Sequence, residues 1–224
     1  MDYNYTIIRS KRRTMALQIK DGELIVRAPQ RMPLYEIEQF IASKRGWIEK
    51  TLRASRETVA NRESFKLAYG DEISFRGYNI EIAAETEDDD RDDHRLHIPP
   101  GLSSEQLREA CIHILKAAAQ DYLPELTMEI AKSQGLMPVT VKVTSAKTRW
   151  GSYDRRRTIC LSWCLIMAPD DVIDYVIMHE LAHLREMNHS EDFWSIVAAT
   201  IPDYPVRKKR LDELGLRLER ERWE

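Results

Sequence analysis

The sequence predicts a mixed α+β fold, with strands concentrated in the first third and helices dominating the remainder. Three observations support this. Residues 5–28 alternate apolar and polar side chains around an Asp21-Gly22 turn. A long apolar stripe at three- and four-residue spacing begins after Ser103. A second helical pattern, after Pro169, is apolar on most sides yet carries histidines. Strand-rich and helix-rich stretches in succession, rather than in regular alternation, indicate an α+β chain.

Residues 5–9, 15–20 and 24–28 read as strands, with Asp21-Gly22 as a tight hairpin turn. Pro33 opens a helical pattern carrying Ile37, Phe40, Ile41, Trp47, Ile48 and Leu52. Strand character returns over residues 65–84, punctuated by Gly70-Asp71 and Gly77. Residues 85–93 form an acidic run that reads as a solvated loop, since it lacks the spaced Gly and Glu of a calcium loop. A short strand at 95–98 runs into Pro99-Pro100-Gly101, the predicted boundary between an amino-terminal strand and helix region (1–101) and a second domain (102–224).

Ser103 and Gln106 are spaced as a capping box, and Leu107, Cys111, Ile114, Leu115, Ala118 and Tyr122 form the stripe of the helix they open. Pro124 is expected to kink or divide this helix, and Gly135 to end it. Residues 139–144 and 158–165 read as strands. Pro169-Asp170-Asp171 starts the next helix, its acids suiting the positive end of the helix dipole. Two further helices are predicted around 191–199 and 206–220.

With 224 residues the chain can form two modest domains or one large one. A net charge of -3 argues against nucleic-acid or membrane binding driven by bulk charge, leaving only local basic clusters at residues 9–13 and 207–210. The amino terminus has no apolar core suited to a signal peptide, and no window is apolar enough to span a bilayer, so a cytoplasmic location without membrane attachment is expected. Three cysteines fit that compartment. Read as residues of one strand, Cys160 and Cys164 stand about 13 Å apart, too far for a disulfide.

The chemistry is concentrated in Met178-His179-Glu180-Leu181-Ala182-His183 and the segment running on to His189. On a helix, His179 and His183 lie one turn apart on one face and can reach a single metal ion. Glu180 sits about a quarter-turn away, where it can reach a water on that metal. With His189, three protein ligands leave one coordination position open, the mark of catalytic rather than structural zinc. As ordinary core histidines, two imidazoles and a carboxylate in so apolar a helix would be costly to desolvate, and a divalent ion compensates that cost. The expected cofactor is therefore one zinc ion per chain, with Glu180 as general base.

Taken with Arg149-Trp150-Gly151-Ser152, the segment from Val172 to Leu184, Asn188-His189-Ser190 before Phe193-Trp194, and Pro202-Asp203-Tyr204, the chain resembles the YgjP-like zinc metallopeptidase family, related to the SprT and WLM peptidases. The likeness covers nearly the whole chain. Tyr153 departs from it, standing where relatives commonly have cysteine. The resemblance implies a minimal zincin-like core in residues 102–224, with His179, His183 and His189 as ligands and Glu180 as the catalytic residue. A left-handed Asn188 is expected to turn the chain so that His189 reaches the metal.

Arg149 has two readings. It belongs to a β-turn in which Gly151 bends and Trp150 packs, or, as the family suggests, it flanks the zinc cleft and holds a substrate carboxylate or phosphate. Peptide or protein is the leading substrate, aligned by strand addition along residues 139–144 or the following strand. Two alternatives stand beside it. A nucleotide pyrophosphatase would use Arg149, Lys147 and the Arg155, Arg156, Arg157 cluster on phosphates, and a DNA-associated protease module would use the basic clusters.

Overall fold

The computed structural model describes residues 4–85, 94–146 and 149–223, so the acidic positions 86–93 and Lys147 lie outside the described residues. Contacts divide the chain into two compact units, Met1–Phe65 and Lys66–Glu224.

In the first unit, β1 (Tyr5–Ser10), β2 (Ala16–Lys20) and β3 (Glu23–Pro29) form a sheet ordered β1-β3-β2. The β2–β3 hairpin turns at Asp21-Gly22 as expected, and β1 joins β3 in parallel. Alternation along β3 puts Leu24, Val26 and Ala28 on one face, where they meet Ile37, Ile41, Ile48 and Leu52 in a fully apolar core. The helix expected from Pro33 is two helices, α1 (Leu34–Ser43) and α2 (Arg45–Ser64). They part at Lys44, whose φ of -109° and ψ of 13° leave the helical region.

In the second unit, β4 (Glu72–Phe75), β5 (Tyr78–Ala84) and β6 (Arg95–Ile98) form one sheet. Helix α3 (Ser104–Gln134) comes next. A second sheet, of β7 (Thr140–Thr144), β8 (Gly151–Tyr153) and β9 (Thr158–Ser162), is ordered β7-β9-β8. A buried 3-10 turn (Trp163–Met167) leads into α4 (Asp170–Ala182), α5 (Glu191–Thr200) and α6 (Tyr204–Glu221). The observed class is α+β, as predicted.

The Pro99-Pro100-Gly101 turn lies inside this second unit, because the β4–β6 region is tied to α3 and α4. Leu67 N donates to Ser104 Oγ at 2.8 Å, and Tyr69 Oη donates to Pro99 O. The β4–β5 turn at Arg76-Gly77 is docked on the start of α4. Arg76 N donates to Ile166 O at 2.8 Å, and its guanidinium takes both oxygens of Asp170 at 2.8 and 2.9 Å. Gly77, at φ +83°, lies so close that a Cβ would come within 2.9 Å of Pro169 Cα.

Helix α3 has the predicted capping box at Ser103 and Gln106 and ends at Gly135. Pro124 does not divide it. The buried ridge runs Leu107, Cys111, Leu115, Ala119, Leu123, Thr127, Ala131, a strict four-residue repeat continuing on both sides of the proline. Packing along that ridge outweighs the one backbone hydrogen bond that Pro124 cannot donate. The strand expected over 158–165 stops at Ser162, and Cys164 falls in the 3-10 turn beyond it. Cys111, Cys160 and Cys164 are all free thiols.

Candidate metal centre

Helix α4 carries the centre, and its sequence dictates the placement. Pro169 precedes it with extended backbone, and Asp170 and Asp171 occupy its first turn. Val172, Ile173, Tyr175, Val176, Ile177, Met178, Leu181 and Ala182 are buried, so the helix is enclosed on most sides. Arg207 donates to Asp171 O at 2.9 Å and Arg210 pairs with the Asp171 carboxylate, so α6 clamps the same end. His183 is the C-cap, with αR backbone (φ -64°, ψ -16°), so the one-turn spacing from His179 persists past the last helical residue.

The chain then folds back. His183 Nδ1 lies 3.1 Å from Glu186 O; a ring N–H donating there leaves Nε2 with its lone pair. Asn188 N donates to Glu186 Oε1 at 3.3 Å, and Ser190 Oγ caps α5 by accepting from Phe193 N. Asn188 does not take the left-handed conformation expected of it. The Glu186 carboxylate and the Ser190 cap organise this turn, so no positive φ is required.

The turn brings His189 Nε2 to 3.0 Å from His179 Nε2. The candidate ligand atoms of His179, His183 and His189 all lie within 4.8 Å of one another. Ring centroids stand 5.2 Å apart for His179–His183, 5.0 Å for His179–His189 and 4.9 Å for His183–His189. Phe193, fully buried, sits beneath all three at 4.9, 4.6 and 4.7 Å. Trp194 flanks His189 and stacks on Tyr204 at 4.9 Å, while Tyr175 meets His179 edge-on.

Electrostatics favour neutral rings at His179 and His183. Burial, then the neighbouring His183 and His189, lower His179 to about 4, and burial lowers His183. His179 Nδ1 is buried and has no hydrogen-bond partner among the described residues. Imidazole nitrogens converging from three sides fit a divalent metal bound at about 2.0–2.1 Å per nitrogen, and three donors leave a fourth position open. Glu180, 6% exposed, is pushed up to about 7 by burial, against the opposing charge of Arg149.

Strand β8 is the element that sequence reasoning misses. It is three residues long, packs on α4, and sits at a sheet edge beside central β9. Tyr153 stacks on His183 at 6.3 Å, and Gly151 lies against the Glu180 side chain. The strand expected after 139–144 as a peptide platform is β9, whose two edges are already paired.

Arg149 is exposed and borders a cavity of about 410 Å³ shared with Trp150, Ser162, Asp212, Leu216 and Glu219. Trp150 packs on α6, its Cζ2 about 3.5 Å from where a Cβ on Gly215 would stand. Arg155, Arg156 and Arg157 form an exposed hairpin tip in which Asp154 Oδ1 accepts from the Arg156 and Thr158 amides and Arg157 donates to Met137 O. The basic cluster on α6 is engaged with acids: Arg207 with Asp203, Lys208 with Asp212, Lys209 with Glu213, and Arg210 with Asp171. That pairing removes most of the support for a nucleic-acid surface there.

The family profile described as YgjP-like, metallopeptidase domain, matches residues 13–214. No curated protein matches the chain. Among solved structures, it is similar to the metallopeptidase zymogen of Pyrococcus abyssi abylysin at 23% identity, covering 43% of this chain and 95% of that one with a TM-score of 0.38. It is similar to the metallopeptidase zymogen of Methanocaldococcus jannaschii jannalysin at 19% identity, over 43% of this chain and 92% of that one, with a TM-score of 0.35. The profile match takes in all three converging histidines, Glu180 and β8, so the chain belongs to the YgjP-like metallopeptidase family, and with that membership comes a catalytic metal.

Proposed function

We propose that the protein is a zinc-dependent peptidase in which His179, His183 and His189 hold the ion and Glu180 moves the proton. The observation that carries this reading is the convergence of three imidazole nitrogens, with a buried carboxylate on the helix that bears two of them and the β8 edge left unpaired among the described residues. Three imidazole nitrogen donors with a free fourth position suit zinc. When bound, the metal supplies Lewis acidity, polarising the scissile carbonyl and acidifying water. Glu180 accepts the proton of the attacking water and hands it to the departing amine nitrogen. Phe193 packs against all three rings and Tyr153 against His183, which holds their orientation.

Strand β8 supplies the alignment. Ser162 N donates to Trp150 O and Asp154 N donates to Thr158 O, so residues 150, 152 and 154 turn their backbone groups toward β9. The N–H and C=O of Gly151 and Tyr153 therefore face outward, free to pair with an extended peptide laid along the edge. Arg149, two residues before β8, is proposed to engage a substrate anion by its planar fork.

The test is hydrolysis of a diverse peptide panel and a nucleoside triphosphate panel by metal-loaded protein, with Glu180→Gln as control. Peptide cleavage that disappears in the control is expected; phosphoanhydride cleavage without peptide cleavage refutes the assignment.

A further inference from the structure

Gly151 is a poor strand residue on conformational grounds, and its backbone does not call for glycine. Its φ lies outside the left-handed region, so alanine could adopt it without strain. A glycine inside a strand then marks a place where something approaches too closely for a side chain. Here that something is Glu180. A Cβ built on Gly151 would stand 2.5 Å from Glu180 Oε1, 2.6 Å from Cγ and 2.8 Å from Cδ. Three contacts below 3.0 Å involve the whole outer half of the side chain rather than a flexible tip. Glu180 is 6% exposed, so it has little free space into which to retreat.

The next residue on the same face of β8, Tyr153, has the opposite character. Its ring stacks on His183 at 6.3 Å and 20°. Two same-face positions of one short strand thus meet Glu180 on α4 and its C-cap His183 about one turn on, one by absence of a side chain and one by bulk.

We propose that Gly151 is a positioning residue: its missing side chain leaves the slot in which the Glu180 carboxylate is held between α4 and the substrate-facing edge of β8. This inference rests on the reading of Glu180 as the proton carrier. Because Gly151 also turns its backbone groups to the open edge, one residue would fix the distance between the carboxylate and any peptide paired there.

Gly151→Ala tests it, in the full chain loaded with zinc. The expected result is unchanged metal content, little change in KM, and a fall in kcat on the order of a hundredfold, the loss that a misplacement of about 1 Å produces. Combined with Glu180→Gln, Gly151→Ala should cost almost nothing further, since residues acting as a unit are not additive. Losses that multiply would overturn the proposal, as would a kcat that stays near wild type. A crystal structure of Gly151→Ala gives a readout independent of turnover. The Glu180 carboxylate is expected to move relative to the three imidazoles, and a carboxylate left in place refutes the inference. If Glu180→Gln alone kept full activity, the proton-carrier reading would fall, while the crystal structure would still decide whether Gly151 sets the carboxylate's position.

Discussion

Arg76 and Asp170, 94 residues apart in sequence, are joined by two parallel hydrogen bonds that fasten a β-turn to the first residue of the histidine-bearing helix. The same guanidinium lies 4.1 Å over the Tyr122 ring, so one side chain links the β4–β5 hairpin, α3 and α4. Side-chain exposures of 34% and 43% mean that water screens the pair. Arg76→Ala is expected to destabilise the protein by about 1–2 kcal/mol, combining a screened ion pair with a cation–π contact. Chemical denaturation measures this directly. A midpoint equal to wild type would show the link to be energetically idle.

His189→Ala is expected to lower zinc affinity sharply while preserving secondary structure. His189 is exposed and would contribute through its ring nitrogen, so its loss leaves little cavity. Metal content after dialysis, read by elemental analysis beside circular dichroism, separates ligation from folding. Full occupancy in this variant would remove His189 from the ligand set.

Glu180→Gln keeps the size of a side chain that lies against Gly151 but removes the carboxylate proposed to accept the proton. Turnover should fall by about a hundredfold or more, with metal retained. A Gln variant as active as wild type would take Glu180 out of the mechanism.

Arg149→Lys preserves charge but loses the two-donor plane. Arg149 is exposed, so melting temperature and zinc content should be little changed. Activity should fall on substrates carrying an anion near the cleaved bond and hold on those without one. An equal catalytic efficiency on both substrate classes would leave Arg149 only its place in the turn.

The parts of this molecule that are legible in the sequence are those set by local periodicity. His179, Glu180 and His183 announce themselves because helix geometry turns a spacing into a face, and the capping box of α3 is written in two residues. Strand β8 is not legible. Three residues, Gly-Ser-Tyr, are too few to alternate, and only their pairing with β9 makes them a strand. The position of the unit boundary is hidden for a related reason. Pro99-Pro100-Gly101 has the composition of a linker, but contacts such as Arg76–Asp170 hold the strands before it to the helices after it. At Asn188, residue preference points to a left-handed turn, whereas the actual turn is set by a carboxylate two residues earlier. Pro124 misleads in the same way, because its local preference to break a helix takes no account of the ridge that continues past it.

The proposed ligands are divided between the end of α4 and the turn leading into α5. On that ligation the ion would act as a reversible staple closing a short chain loop, ten residues from His179 to His189. Whatever binds the folded state alone shifts the folding equilibrium by mass action, so the staple would make the lifetime of this joint a function of free metal concentration. Under metal starvation the turn that carries Met187, 48% exposed, would lose that closure and open more readily.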